Sequence, residues 1–197
     1  MENVEKVQTP PDTSITNLYE RLSFKKDDGR FLKYFCEGEN LFIQYGNNTF
    51  NKVFKDTFVC IMPYVGTPML WAENKERILL SFGCGSPCWG VFELSFNQKD
   101  TVKSFLYHYD YDEEIDVLIH VDYYEPKDRY VLMARNLSTA EYQVIDIGAY
   151  KAPFIGYYID SLSFENKELF VRLRTEEDMK KGMSTRGSRT LRRKVEI

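Results

Sequence analysis

The stretch FLYHYDYDEEIDVLIHVDYY, residues 105–124, decides the fold class. Polar and apolar residues alternate on both sides of an acidic segment, and such alternation is typical of half-buried β-strands. With a turn centred near Glu114, the two strands form an antiparallel hairpin. The odd-numbered residues then share an apolar core face: Phe105, Tyr107, Tyr109, Ile119, Val121 and Tyr123. The even-numbered residues share a mixed face that we expect to be exposed to water: Leu106, His108, Asp110, Leu118, His120 and Asp122.

This register places the two histidines of the chain, His108 and His120, directly opposite each other, with Cβ atoms about 5 Å apart. Together with Asp110, Asp122 and Tyr124 they form a candidate binding site. Two imidazoles beside carboxylates can hold a divalent metal or form a pH-sensitive contact. The alternative is the exposed polar face of a sheet. Because no third ligand is identifiable, we predict no cofactor and keep the two histidines only as candidate metal ligands.

The same alternation continues along most of the chain. Candidate strands cover residues 30–36, 40–45, 56–62, 76–82, 89–96, 101–109, 115–123, 129–135, 141–147, 159–164, 168–174 and 190–197. Short clusters of Gly, Pro, Asn, Asp and Ser separate them, and no helix long enough for a parallel crossover lies between them. The sequence therefore predicts an all-β antiparallel meander with little helix, either propeller-like or a β-sandwich.

The N-terminal segment differs from the rest. Residues 1–14 are polar, contain proline and lack a pattern, which predicts a flexible tether followed by a single all-β domain over residues 15–197. Residues 15–22 fit a short helical turn or a first strand. Because such tethers often follow an export signal or a lipid-bearing cysteine, we expect a periplasmic or cell-envelope protein with a lipid anchor on its native N-terminus. The alternative is a cytoplasmic protein with a frayed end.

The motif SFGCGSPCWGVF, residues 81–92, resembles the nucleophile segment of papain-like proteases. That family needs its cysteine at a helix N-terminus with a histidine far downstream. Here Pro87 interrupts the motif, the residues after Cys88 alternate like a strand, and His108 and His120 follow too closely. The sequence contains no other catalytic motif that we would defend, so it favours a protein that is not an enzyme.

The four cysteines lie at positions 36, 60, 84 and 88. Only one close pair exists, which is atypical of a structural zinc site. Cys84 and Cys88 flank a Gly-Ser-Pro turn, so we predict that they form a disulfide in an oxidising compartment. Cys36 and Cys60 either form a second bridge or are small core residues.

Charge excludes one class of partner. The net charge is −4, and the seven Lys and Arg residues against one Glu in residues 179–197 leave −10 for the rest. An acidic body of this kind is not expected to bind nucleic acid, which requires a basic surface. No stretch approaches the roughly 20 apolar residues of a membrane-spanning helix.

The polar N-terminal segment, the aromatic-rich meander, the GCGSPCWG turn and the NLSTAEYQVID hairpin resemble those of small exported β-rich lipoproteins of gut bacteria. Some proteins of that kind are immunity proteins against toxins delivered between cells. The resemblance covers roughly residues 30–197 and assigns no functional residue. It implies a protein-binding module that neutralises a toxin or scaffolds an envelope partner.

Tyrosine favours the same function, because it is enriched at protein interfaces, and the chain contains 14 tyrosines. The alternative is a β-meander protein that binds or hydrolyses a glycan or peptide with surface carboxylates. A protein partner is therefore the first expectation.

Overall fold

The computed structural model describes residues 13–60, 67–85, 88–147, 158–174 and 189–197. Residues 1–12 of the predicted tether lie outside this range, as do residues 61–62 of the predicted strand 56–62 and Ser86 and Pro87 of the predicted Gly-Ser-Pro turn. One α-helix, α1 (Thr13–Leu22), precedes the strands and includes the last two residues that the sequence assigned to the tether. Within the described ranges, one 3-10 turn covers Glu125–Lys127.

The described residues form fifteen strands in four antiparallel sheets, which confirms the predicted all-β meander. The first sheet contains β1 (Phe24–Lys25), β2 (Phe31–Glu37), β3 (Asn40–Gly46) and β4 (Asn51–Val59). The second contains β5 (Met69–Glu73), β6 (Arg77–Gly85), β7 (Cys88–Ser95) and β8 (Lys103–Leu106). The third contains β9 (His108–Asp112), β10 (Val117–Tyr124), β11 (Arg129–Asn136) and β12 (Tyr142–Ile145). The fourth contains β13 (Ile159–Glu165), β14 (Glu168–Leu173) and β15 (Arg189–Lys194).

Strand alternation places apolar side chains on both faces of the second and third sheets. In β6, Ile78 and Leu80 pack against the first sheet, whereas Leu79 between them packs against the third. In β10, Leu118 faces the second sheet, whereas Ile119 belongs to the core shared with the fourth. The four sheets therefore pack in the order of the chain, with a separate apolar layer at each of the three contacts.

The segment 101–109, predicted as one strand, is divided between two sheets. Strand β8 ends the second sheet at Leu106 and β9 begins the third at His108, so Tyr107 alone connects them. The N–H of Tyr107 donates to the carbonyl of Trp89 in the second sheet at 2.8 Å, and its own carbonyl accepts from Val121 N–H in the third at 3.2 Å. Tyr107 has a φ of 50°, a left-handed conformation that the sequence pattern does not reveal.

Two disulfides join strands within the first and second sheets. One connects Cys36 in β2 to Cys60 just after β4, and the other connects Cys84 at the end of β6 to Cys88 at the start of β7. All four cysteines are therefore paired. Cys88 lies in a strand, so the sulfur in the protease-like motif belongs to a bridge and not to a thiol at a helix terminus.

Candidate binding site at the junction of the second and third sheets

The prediction that the two histidines lie opposite each other is confirmed. The prediction that they lie on an exposed face is wrong. His108 in β9 lies opposite His120 in β10, and the register shifts between Ile119 and His120. Both imidazoles are buried, with His108 8% and His120 1% exposed. The expectation of a wet even-numbered face is wrong because this face of the third sheet packs on the second sheet.

Aromatic rings of the second sheet cover both imidazoles. Trp71 in β5 meets His108 edge to face at a centroid distance of 4.3 Å, and Phe105 in β8 meets His120 at 5.0 Å. Burial lowers the pKa of His108 to about 4, and the neighbouring His120 contributes to the same shift. Burial likewise lowers the pKa of His120 to about 4, against a smaller opposing effect of Asp122. Both imidazoles are therefore neutral near pH 7.

The hydrogen bonds of His120 determine which of its nitrogens is free. Its Nδ1 lies 3.2 Å from the carbonyl oxygen of Val121, and a carbonyl can only accept, so the proton is assigned to Nδ1. Nε2 is then an acceptor, and it has no hydrogen-bond partner among the described residues. A buried acceptor without a partner is uncommon in folded proteins and requires an explanation.

His120 lines a cavity of about 460 Å³ between β8 and β10. Its walls are mainly aromatic and aliphatic, and they include one carboxylate. The lining residues are Ser104, Phe105, Leu106, Tyr107, His120, Val121, Asp122, Tyr123 and Tyr130. Leu106, Tyr123 and Tyr130 are 47%, 45% and 40% exposed, and we call these three residues the exposed rim. The cavity thus combines an apolar wall, a contact with the buried residue His120 and an open edge.

The remaining residues of the predicted site do not lie together around the two histidines. Asp122 contributes to the cavity and pairs loosely with Arg135 at 3.8 Å. Asp110 lies opposite Ile119 and accepts the backbone N–H of Phe164 in the fourth sheet at 2.8 Å, so it faces away from the histidines. Tyr124 lies at the end of β10 opposite Arg129, outside the cavity lining of the described chain.

The sequence also suggested His108 and His120 as candidate metal ligands. Within the described residues, no group of three or more His, Cys, Asp or Glu side chains is placed to hold a metal ion. Asp110, the carboxylate expected beside His108, is held in the contact with Phe164 instead. In the described part of the chain, the geometry forms a cavity lined in part by His120 and not a metal-ligand set around both histidines.

Sequence reasoning missed three members of the cavity. Tyr123 was assigned to the core but is 45% exposed, Phe105 was assigned to the face opposite the histidines but its ring meets His120, and Tyr130 was given no role. The pairing of Tyr123 with Tyr130 across β10 and β11 is the signal that could have identified the rim. Their rings meet edge to face at 5.5 Å.

Comparison with known proteins gives no functional assignment. No family model and no curated protein matches the chain. One solved structure with a detectable likeness is the uncharacterized protein lmo1340 from Listeria monocytogenes EGD-e, at 14% identity and a TM-score of 0.39. The match covers 77% of this chain and 44% of that chain. The described residues contain no helix with the length and apolar character that crossing a bilayer requires.

Proposed function

We propose that this protein is an extracytoplasmic protein-binding module that recognises its partner at the junction of the second and third sheets. The observation that carries the proposal is the exposed rim, in which the side chains of Leu106, Tyr123 and Tyr130 remain exposed around a cavity that is also lined by the buried His120. Exposed tyrosines beside a pocket are typical anchor points of protein interfaces. Neutralising a toxin or scaffolding an envelope partner are the two roles that fit such a module.

A larger cavity of about 770 Å³ lies beside α1 and β2, but it supports the proposal less well. Its charged lining side chains, Glu20, Lys25 and Lys33, are all exposed to solvent. The junction cavity instead contains a buried imidazole, and convergent polar groups in an apolar pocket are typical of specific binding sites.

The two disulfides support the extracytoplasmic location, because disulfides persist in oxidising compartments and are rare in the cytosol. A lipid anchor on the native N-terminus is part of the same proposal. The packing of the second and third sheets on both faces supports the propeller-like arrangement over a two-sheet sandwich, in which each sheet would have one inner face.

The proposal is tested by affinity capture from the native cell envelope with the double variant Leu106→Ser/Tyr130→Ser. The matched control is Tyr142→Ser. Tyr142 lies on the same sheet as Tyr130 and is 51% exposed, but it does not line the cavity. We expect the wild type and the control to recover one stoichiometric protein and the rim variant to lose it. Equal recovery by all three forms would refute the proposed surface, and binding only to a glycan array would favour the alternative of a glycan-binding protein.

A further inference from the structure

We propose that the Cys84–Cys88 disulfide is a thiol–disulfide exchange site, which a dithiol reduces in the folded protein while the Cys36–Cys60 disulfide stays closed. The inference goes beyond the proposed function and does not depend on it. Three observations support it: the exposure of Cys84, the surroundings of Cys60 and the contacts that hold Cys88 in place.

Cys84 is open to attack by a thiolate from solvent. It lies at the end of β6 between Gly83 and Gly85, and all three residues are exposed, whereas Cys88 is half-buried. A Cβ placed on either glycine would lie more than 4 Å from every described residue beyond its chain neighbours. Exchange requires access of the thiolate to a sulfur atom, and this end of the hairpin provides it.

The Cys36–Cys60 bridge lacks an equivalent route, although Cys36 is exposed. Cys60 is 5% exposed, so its sulfur is shielded from an attacking thiolate. Attack on the sulfur of Cys36 would instead release Cys60 as a buried thiolate, with its Sγ 3.2 Å from the carbonyl oxygen of Asn40. A buried anion that faces the negative end of a carbonyl dipole is a poor leaving group, so we expect this bridge to resist exchange.

The hairpin should keep its shape when the Cys84–Cys88 bridge opens. Strands β6 and β7 are paired along their lengths without it. Trp89, next to Cys88, donates its indole N–H to the carbonyl of His108 at 2.8 Å, and its own carbonyl accepts from Tyr107 N–H at 2.8 Å. The Cα atoms of the two cysteines are 5.0 Å apart, so these contacts hold the reduced pair at a distance from which the bridge can close again.

This proximity selects a dithiol as the reductant. One thiolate of the dithiol attacks Sγ of Cys84, which forms a mixed disulfide and releases Cys88 as a thiolate. With a monothiol the reaction reverses, because the nearby Cys88 attacks the mixed disulfide and expels the monothiol.

A dithiol completes the reduction because its second thiolate attacks its own first sulfur. The mixed disulfide then breaks, and Cys84 leaves as a thiolate. The dithiol ends as a cyclic disulfide, having given two electrons to the bridge, and its two thiol protons pass through solvent to Cys84 and Cys88.

The test uses the intact wild-type protein in its native state, with dithiothreitol as the dithiol and 2-mercaptoethanol as the monothiol. Both are used at the same thiol concentration and the same pH, because the thiolate is the nucleophile. Free cysteines are alkylated at timed intervals with iodoacetamide. The remaining bridges are then reduced after denaturation and alkylated with isotope-labelled iodoacetamide.

Mass spectrometry of tryptic peptides measures each bridge separately. Trypsin places Cys36 in residues 34–52, Cys60 in residues 56–75 and the other two cysteines in residues 78–99. Far-ultraviolet circular dichroism, recorded over the same interval, monitors the fold.

We expect dithiothreitol to reduce Cys84–Cys88 at least about tenfold faster than Cys36–Cys60. The extent of reduction by 2-mercaptoethanol should be about a tenth of that by dithiothreitol or less, since only the dithiol closes its own ring. The circular dichroism spectrum should not change while the Cys84–Cys88 bridge opens.

Equal rates for the two bridges, or faster reduction of Cys36–Cys60, would overturn the inference, because reduction would then not depend on the exposure of Cys84. Equal reduction by 2-mercaptoethanol and dithiothreitol would refute the dithiol as the class of reductant. Loss of the circular dichroism signal together with the Cys84–Cys88 bridge would refute exchange in the folded protein.

Discussion

His108 and His120 are the side chains at which pH acts most directly on this fold. Both are buried between two sheets, where Trp71 and Phe105 cover them. Nδ1 of His108 and Nε2 of His120 have no hydrogen-bond partner among the described residues. The charged groups near His120 are Asp122, which raises its pKa, and Arg135, which lowers it, and burial outweighs both.

The free energy of unfolding should therefore fall as the pH falls from about 7 to about 5. In the unfolded chain each imidazole takes up a proton near its ordinary pKa of about 6.5, whereas in the fold it stays neutral down to about 4. The stabilisation is complete above the unfolded pKa and is lost as the pH approaches the folded one. Linkage gives a loss of about 2 kcal/mol for each histidine over this interval, measurable by urea unfolding.

The variant His120→Gln isolates this effect, since the carboxylates of the chain still titrate in it. Its free energy of unfolding should fall less steeply over the same interval, by about half of the histidine contribution. A variant with the same pH slope as the wild type would show that His120 is not buried in its neutral form.

Tyr107 is a second decisive residue, because the backbone N–H and carbonyl of this one residue bond to two different sheets. Its N–H donates to Trp89 and its carbonyl accepts from Val121. The indole N–H of Trp89 in turn donates to the carbonyl of His108 at 2.8 Å. The left-handed φ of 50° turns the chain so that Phe105 and His108 belong to different sheets.

At the scale of elements, the two disulfides close loops of very different length. The bridge from Cys36 to Cys60 spans 24 residues, and the bridge from Cys84 to Cys88 spans 4. A cross-link restrains the unfolded chain more when it closes a longer loop.

Removal of the Cys36–Cys60 bridge should therefore lower the free energy of unfolding more than removal of the Cys84–Cys88 bridge. We expect about 3.5 kcal/mol for Cys36→Ala/Cys60→Ala and about 2 kcal/mol for Cys84→Ala/Cys88→Ala, by chain entropy alone. Urea unfolding of the two double variants at the same pH measures the difference. A larger loss for the Cys84 pair would mean that its hairpin organises the second sheet beyond the entropy term.

The hairpin between β13 and β14 contains a residue that does not suit its turn. Glu165 pairs with Glu168, so the loop has two residues, Asn166 and Lys167, with φ values of 52° and 60°. Positive φ at both positions is typical of a type I′ turn, in which Asn-Gly is the favoured pair. Asn166 tolerates this conformation, whereas Lys167 is strained in it.

The substitution Lys167→Gly should therefore stabilise the protein by up to about 1 kcal/mol. The backbone contact in which Val195 N–H donates to the carbonyl of residue 167 does not depend on the side chain. Thermal unfolding of Lys167→Gly measures the gain, with Lys167→Ala as the control that keeps a Cβ. If Lys167→Gly destabilised the protein and Lys167→Ala did not, the turn would not have a positive φ at both positions.

At the scale of the whole molecule, a buried ionic network ties the second sheet to the third. Arg77 in β6 is 4% exposed and binds Glu93 in β7. Its guanidinium also donates to Asp116 at 2.7 Å, in the turn before β10, and to the carbonyl of Leu137 at 3.2 Å. The hydroxyl of Tyr111 donates to the other oxygen of Asp116 at 2.7 Å. These contacts pair the charge of Arg77 with those of Glu93 and Asp116 between the two sheets.

Removal of Arg77 should destabilise the contact between the two sheets strongly. The variant Arg77→Met leaves the carboxylates of Glu93 and Asp116 without their buried cation, and we expect a loss of about 3–5 kcal/mol. The matched control is Arg192→Met, whose partner Glu168 lies on the surface, with an expected loss below about 1 kcal/mol. Comparable losses in the two variants, measured by urea unfolding, would contradict a structural role for the network.

Much of this architecture follows from local sequence patterns. The all-β class and most strand positions follow from alternation and turn residues, which act within a few residues of each other. A turn centred at Glu114 would pair residue 109 with 119, but Asp110 pairs with Ile119, and His108 lies opposite His120 because the register shifts between Ile119 and His120. The strands β1 and β5 were missed, because two residues of β1 are too few for a period and Met69–Glu73 does not alternate clearly. The acidic segment of the hairpin does form a turn, with Asp112 and Val117 pairing across it.

The sequence by itself determined that side chains alternate along strands and that the sheets are antiparallel. Only the tertiary structure decided that the face bearing His108 and His120 is buried, that Asp110 turns away and that Tyr123 and Tyr130 stay exposed. The physical reason is that alternation separates the two sides of a strand but does not state what covers each side. Here a second sheet covers the side that a simple hairpin would leave to water.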